Sequence, residues 1–495
     1  MIQREAVSKD IQANREALAE IFNAGINKDI VIRDIKLPTG LKSFIVFIDG
    51  MAGRDTINHF IVRPLLGCDQ KYADYANLIQ TNSCEAAPRL SDAVSAVLEG
   101  DTAVFIDRIN VCYLCETKGF DKRAPSGPTS ENTVKGSQEG FTEAIRTNTT
   151  LMHRILKTPH LITEMLKVGE INQGTVAVMY LENITNKDIL AEVKRRLNSI
   201  KGDFILGSGM LEQMIEDSSF SLFPSLLSTE RPDRAAYYLA AGHIIIIADG
   251  TPFAIIAPVT LPLLLDSPEG PAQRWQNGTF QRLLRLVAFF CTTMLSGTYL
   301  ALILFHREMI PTPLLGAIMD ARESIPFPSV FEVLIMELFF ELVRESSLRV
   351  PHMLGNAIGI VGALILGQAA VEANLVSPVT LIVVALSGLG NTALPDYDLA
   401  FGIRSLKLFV IVMGASFGFL GLAVAVVIIL LVLANQKSFG VSMFSMASLR
   451  SSTGIPLIYQ KPLWRQEKRP SELDTQKKRQ EPRISRLWRY GQKEE

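Results

Sequence analysis

Residues 408–434 read LFVIVMGASFGFLGLAVAVVIILLVLA, without one charged side chain. At about 1.5 Å of rise per residue, such a run makes a helix of about 40 Å, against roughly 30 Å for a hydrocarbon core. Soluble domains rarely contain an uninterrupted apolar run of this length. The chain therefore reads as a membrane protein, with this run as its last span.

Upstream, three more apolar runs read as spans, at 283–305, 354–372 and 377–394. A further segment, 329–345, is apolar but interrupted by Glu332, Glu337 and Glu341. It is expected to be a re-entrant, interfacial or pore-facing helix, because carboxylates within an apolar helix are tolerated only against water, a pore or a partner. Glu337, Glu341 and Glu345 follow the i, i+4, i+8 rule and share one helix face. The membrane domain is thus bounded at 282–434. The pairs Gly355/Gly359 and Gly414/Gly418 have the GxxxG spacing that lets helix backbones approach closely, either within the chain or between chains.

Downstream, basic residues outnumber acidic ones about two to one over 435–495, with clusters at Lys477-Lys478-Arg479 and at Arg483, Arg486 and Arg489. Beside a terminal span this reads as a cytoplasmic tail under the positive-inside rule, in preference to a nucleic-acid-binding segment. The first residues, MIQREAVSKDIQANREALAEIF, contain no apolar h-region, so the N-terminal region is expected to stay in the cytoplasm. An even number of crossings satisfies both ends; four spans do so, as would six. Five scattered cysteines fit a reducing compartment better than a disulfide framework.

Residues 1–265 read as a cytoplasmic α/β region. Phe44–Ile48 is a buried-strand run, followed by a helical pattern with Ile57, Phe60, Ile61 and Leu65 on one face. Thr102–Ile106 and Val111–Glu116 are expected to pair as a hairpin. Thr149–Leu156 reads as helix and Thr175–Leu181 as strand. Asn186 is expected to cap an amphipathic helix to Leu197, and Phe204–Leu206 to form a short strand. Strands alternating with helices predict a mixed or parallel sheet covered by helices. The Pro-, Gly- and Ser-rich stretch 118–138 reads as a long loop at which this region divides into two subdomains. The apolar run 243–265 passes a hydropathy window. However, HIIIIADGTPFAIIAPV sets two β-branched runs around Asp249-Gly250, and Pro252, Pro258 and Pro262 interrupt any helix, so a β-hairpin is expected.

No catalytic set emerges. His59, His153, His160, His243, His306 and His352 show no metal-ligand spacing, there is no P-loop, and Cys112-Tyr-Leu-Cys115 is a lone CxxC on a predicted strand. The reading is of a protein that is not an enzyme and uses no cofactor or metal.

Five ordered segments resemble a known family: Gly136-Ser-Gln-Glu-Gly-Phe-Thr-Glu143, Thr229-Glu-Arg-Pro-Asp-Arg234, Asp249-Gly-Thr-Pro-Phe253, Gly362-Ala-Leu-Ile-Leu-Gly-Gln-Ala-Ala-Val-Glu372 and Pro462-Leu-Trp-Arg465. They are similar to motifs of the A-type subunits of GerA-family spore germinant receptors, in order and spacing over nearly the whole chain. Within these motifs Gly136, Glu139, Gly140, Phe141, Thr142, Glu143, Glu230, Arg231, Pro232 and Asp233 are the residues carried over. Ser137 and Gln138 stand where Pro and Arg are usual, and Lys135 where Arg is usual.

The resemblance implies the inner membrane of dormant bacterial endospores. It implies a transporter-like B subunit that binds the germinant, a lipoprotein C subunit, and homo-oligomerisation of the A subunit into a ligand-gated cation channel. On that reading Val361, Ile365, Gln368 and Glu372 share one face of the Gly-rich helix and are pore or gate candidates, with Glu337 and Glu341 as a charged vestibule. The competing reading is a membrane-anchored scaffold without its own pore. A secondary transporter is disfavoured, since no inverted repeat is visible.

Overall fold

The computed structural model describes residues 6–68, 75–119, 127–128, 131, 133, 135–348, 365–444 and 458–480. Its N-terminal half holds two five-stranded sheets. The first contains β1 (Ile30–Lys36), β2 (Lys42–Ile48), β3 (Cys84–Ala87), β4 (Thr102–Ile106) and β5 (Cys112–Cys115), in the order β1-β2-β4-β5-β3. The second contains β6 (Leu161–Val168), β7 (Gly174–Leu181), β8 (Leu227–Thr229), β9 (Ile244–Ala248) and β10 (Ala254–Ala257), in the order β6-β7-β9-β10-β8. The two orders are the same topology used twice.

Every pairing within both sheets is antiparallel, which overturns the expected mixed or parallel sheet. The reason is adjacency. The helix Leu90–Glu99 returns the chain from β3 to β4, and the helix Pro232–Ala241 returns it from β8 to β9. Each brings its two strands into the same direction, as a crossover should. A third strand (β5 or β10) then slots between them from the following hairpin and makes every contact antiparallel. Both helices end on glycines with left-handed backbone, Gly100 and Gly242, which close the turn into the next strand.

Local signals resolve as their chemistry dictates. The Asp249-Gly250 turn joins β9 to β10, with Ile247 opposite Ala254, so 243–257 forms a hairpin. Asn186 caps the helix Lys187–Ser199, its side chain accepting from the Asp188 amide. Two expectations fail. Phe204–Leu206 pairs with no strand; Asn172 Nδ2 donates to the Ile205 carbonyl at 2.6 Å, while Phe204 and Leu206 are exposed. Phe60 is 44 % exposed, although Ile57, Ile61 and Leu65 are buried. The segment Ile57–Val62 is π-helical, and the wider turn carries Phe60 off the apolar face.

Two helical stretches of the C-terminal half, Trp275–Phe305 (31 residues) and Tyr397–Asn435 (39 residues, interrupted at Gly418), have the length and apolar composition of membrane-crossing segments. Ser329–Leu348 and Pro378–Thr392 lie between them. Pro378–Thr392 has 15 residues, about 22 Å of helix and short of a full hydrocarbon core. Most of the predicted 354–372 span lies outside the described residues, which resume as helix over 365–372.

The run that opened the sequence reading is not one rod. Gly418 has φ +58° and ψ −139°, and the chain reverses there. Gly402 lies against the Leu222 carbonyl, while Gln436 donates to the neighbouring Phe223 carbonyl at 2.5 Å. A straight helix would hold positions 402 and 436 about 50 Å apart. Tyr397–Asn435 is therefore a helical hairpin with its apex at Gly418 against Phe305 and His306. Its arms pack on Trp275–Phe305, where a Cβ on Gly414 would meet the Gly297 backbone and one on Gly297 would meet Val410 and Leu422.

Replacing Gly418 by Ala places a side chain in left-handed backbone against Phe305 and should cost about 1–3 kcal/mol. Gly316 lies in the helix Thr312–Asp320 with open space around it, so Gly316→Ala should instead gain up to about 1 kcal/mol from helix propensity. Thermal unfolding of the two variants in detergent should shift in opposite directions.

Candidate functional site: a buried arginine junction between sheets and helices

The segment Gly136–Glu143 leads into the helix Ile145–Ile155, and its entry is built from side chains. The Asn148 amide takes the Thr142 N–H at 2.7 Å and donates to the Thr142 carbonyl at 2.6 Å. Asp249 accepts from the Ile145 amide at 3.1 Å, and the Gly250 amide donates to the Glu143 carbonyl at 2.8 Å. Glu139 pairs with Arg154. The Phe141 ring is buried, with Gly140 beside it in the chain also buried. The Phe141 amide donates to the Glu230 carbonyl at 2.7 Å. Three of the sequence motifs, around 140, 230 and 250, thus converge.

At their meeting point Arg231 has no exposed surface. Its guanidinium forks onto Asp233 at 3.1 and 2.8 Å, and donates to Thr133 Oγ1 at 2.8 Å, the Glu131 carbonyl at 3.3 Å and the Ser137 carbonyl at 2.9 Å. Gly136 leaves room for this, since Arg231 Nη2 lies 3.1 Å from where a Cβ would stand. Pro232 and Asp233 occupy the first turn of Pro232–Ala241, where a missing N–H and a negative charge are both favourable. Arg234, also buried, pairs with the Glu131 carboxylate and donates to the Asp266 carbonyl at 3.1 Å. Asp266 accepts from Arg282 at 2.9 Å, inside the first long apolar helix. Buried charges need pairing of this kind, because an uncompensated one is strongly destabilising; Arg234 Nε alone among these guanidinium donors is buried without an acceptor. Beside the network lies a cavity of about 190 Å³ lined by Gly136, Asp233, Arg234, Tyr237, Tyr238 and Ser267 among others. Burial pushes the Tyr237 phenol up to about 12, so it stays neutral there.

The junction has two further contacts. Ser438, just past the hairpin, donates to the Ser225 carbonyl at 2.6 Å and accepts from the Val259 amide at 2.9 Å. The tail folds back onto the second sheet's subdomain: Arg469 Nε donates to the Ala240 carbonyl at 3.0 Å, and Gln476 to the Thr185 carbonyl at 2.7 Å. The first subdomain is tied to the second through Asp29, which is fully buried and accepts from Arg146 at 2.6 Å while His153 Nε2 lies 2.9 Å away.

The pore candidates are distributed differently. Val361 lies outside the described residues. Ile365, Gln368 and Glu372 are exposed on one side of the 365–372 helix, while Gly367 and Ala370 turn inward. Glu337 is buried, pairs with Lys407 and accepts from Ser296 Oγ at 3.0 Å. Glu341 is exposed and pairs with Arg344. Glu332, with no exposed surface, pairs with Arg322 at 3.1 Å and accepts from the Ser377 amide and Thr380 Oγ1. Sequence reasoning passed over Lys407 because it stands one residue before the apolar run was taken to begin. It also passed over Glu131, Asp266 and Arg282, which no local pattern marks. Cys112 and Cys115 face opposite sides of β5, as three-residue spacing in a strand requires. Among the described residues no group of three or more His, Cys, Asp or Glu side chains is placed to hold a metal.

Two outcomes follow for this junction. Arg231→Ala removes the donor that the Glu131 and Ser137 carbonyls and Thr133 Oγ1 share and should cost about 1–3 kcal/mol. Arg231→Lys should fail to restore it, because an ammonium lacks the planar fork; thermal unfolding and proteolysis near residues 131–137 report both. Burial, then the negative charge of Asp398, raises the Glu212 carboxyl from its ordinary 4.5 to about 7. Its raised folded-state value means that its stabilising contribution is complete below pH 4.5 and is lost as pH rises through about 7. Unfolding temperatures followed across that window should fall more steeply with rising pH in the wild type than in Glu212→Gln.

A family model described as Bacillus/Clostridium GerA spore germination protein matches residues 16–472. The chain is 35% identical over 478 residues to Spore germination protein KA of Bacillus subtilis (strain 168), covering 93% of this chain and 88% of that one. It is 33% identical over 474 residues to the Uncharacterized membrane protein YfkQ of the same organism, covering 94% and 92%. Among solved structures, the N-terminal domain of the A subunit of the Bacillus megaterium spore germinant receptor GerK3 matches at 28% identity with a TM-score of 0.39, over 51% of this chain and 96% of that one. The extent of the family match, together with relatives of this identity and coverage, makes the chain a member of the GerA family of spore germination proteins.

Proposed function

We propose that this chain is the A subunit of a nutrient germinant receptor in the spore inner membrane. It transduces germinant binding by a transporter-like B subunit into ion release, alongside a lipoprotein C subunit. Copies of the chain surround a cation path. Residues 1–265 and the tail from 435 stand on the cytoplasmic side, and 282–434 form the membrane domain, with the hairpin at Gly418 supplying two antiparallel arms. The shared side is supported by the tail's contacts with the second sheet's subdomain.

One observation carries the oligomeric reading. On the 365–372 helix the small residues Gly367 and Ala370 pack inward, and the polar Gln368 and Glu372 are exposed among the described residues. A carboxylate and an amide turned outward from an apolar bundle are costly in lipid. Sister copies placing these faces around water would remove that cost, and a ring of Glu372 carboxylates would attract cations. The ligand acts by binding the open arrangement more tightly than the closed one.

The test is ion flux in liposomes carrying the full chain with its partner subunits. Glu372→Gln should reduce cation preference. Glu337→Gln should leave preference unchanged and lower the unfolding temperature, because Glu337 is matched by the buried Lys407 of its own chain. An intact oligomer with partners present and no flux would instead support the scaffold reading.

A further inference from the structure

The first sheet holds a thiol pair that the CxxC spacing conceals. β3 is an edge strand, and its Cys84 stands directly opposite Cys115 of β5. The adjacent Glu116 amide donates to the Ser83 carbonyl at 2.9 Å, so Ser83 and Glu116 form a hydrogen-bonded pair. Cys84 and Cys115 are therefore the next, non-hydrogen-bonded pair, in which Cα atoms approach to about 4.5 Å; a disulfide needs roughly 4.4–6.8 Å. Their sulfurs are already 3.8 Å apart, on the same face of the sheet. Closure needs side-chain rotation and no shift of the strands.

We propose that Cys84 and Cys115 are a modification site for low-molecular-weight disulfides, closing reversibly into a cross-strand disulfide. The order of attack follows from exposure. Cys84 is half-buried at the sheet edge, whereas Cys115 is fully buried, and its contact with Cys84, followed by burial, holds its thiol well above the ordinary range. The Cys84 thiolate attacks one sulfur of the small disulfide. The S–S bond breaks, and one small thiol leaves with the proton that Cys84 lost. Cys115 then gives up its proton and attacks Cys84 Sγ, which forms the protein disulfide and expels the second small thiol. Two protein thiols are oxidised, and one small disulfide is reduced to two thiols. Cys112 takes no part: it lies on the opposite face, donates to the Ala87 carbonyl at 3.3 Å, and burial pushes it up to about 12.

The closed form fastens the edge strand to β5 just before Thr117, whose carbonyl accepts from the Gly53 amide at 2.7 Å, and before Lys118, which pairs with Asp101 at 3.4 Å. It would stiffen the point from which the chain leaves the first sheet toward the arginine junction.

The test uses the full chain in detergent, treated with glutathione disulfide, denatured, alkylated and mapped by mass spectrometry. The expected product is a linked pair of peptides containing Cys84 and Cys115, lighter by two hydrogens and separated again by dithiothreitol, with Cys112 fully alkylated. In Cys115→Ser the reaction should stop at a glutathione adduct on Cys84. Wild-type protein that accumulates the same adduct, or that leaves both thiols open to alkylation, would overturn the proposal. The wild-type map decides this without any variant. Cys112→Ser, which should close normally, guards against general loss of fold.

Discussion

Two buried guanidiniums, Arg231 and Arg234, govern how this molecule is joined. A buried charge must be neutralised and its hydrogen-bond donors occupied. The partners are drawn from distant parts of the chain: Glu131 and Ser137 before the second sheet, Asp233 beside the arginines, and Asp266 before the first long apolar helix. Arg282 completes the series from within that helix. These contacts tie Glu131 and Ser137, the second sheet and the first long apolar helix to one another. Glycine at 136 and proline at 232 follow from the same constraint, one by leaving space and the other by starting a helix whose next residue is the acidic partner.

The helical half obeys a different constraint. Its apolar surface is extensive, and its few polar groups are placed with economy. Glu332 meets Arg322 and the start of Pro378–Thr392 at Ser377; Glu337 meets Lys407 and Ser296. Tyr299 and Thr380 join through their hydroxyls at 2.9 Å. These links cross between helices that are otherwise held by non-directional apolar contact, so they define register. The reversal at Gly418 lets both arms of the hairpin pack against Trp275–Phe305 and returns the chain to the second sheet. There the apolar face of the sheet and the base of the helices form one continuous core.

What was readable beforehand divides by range. Asp249-Gly250 specified a hairpin and Asn186 a helix start, since each acts on backbone groups within a few residues. The motifs around 140 and 230 could be marked by resemblance, and the structure brings them together through the Phe141 amide and the Glu230 carbonyl. Phe60 was misplaced because a π-turn is invisible to a 3.6-residue period. Phe204–Leu206 failed because β-branched or aromatic composition does not supply a strand partner. The antiparallel sheets were misread because helix–strand alternation encodes direction but not the neighbour inserted later. The cysteine pair was missed for the same reason: Cys115 was read beside Cys112, its neighbour in sequence, and not beside Cys84, its neighbour across the strands.

The sequence by itself determined that the C-terminal half is apolar helix, that the N-terminal half is α/β, and which family the chain resembles. Composition and periodicity act locally and survive any arrangement of the parts. Only the tertiary structure decided that residues 408–434 bend back at Gly418, that one sheet topology occurs twice, and that Glu337 is matched by Lys407. These are matters of which distant groups meet. Such meetings are set by packing and by the cost of unpaired buried charge, and neither is written in any short stretch of residues.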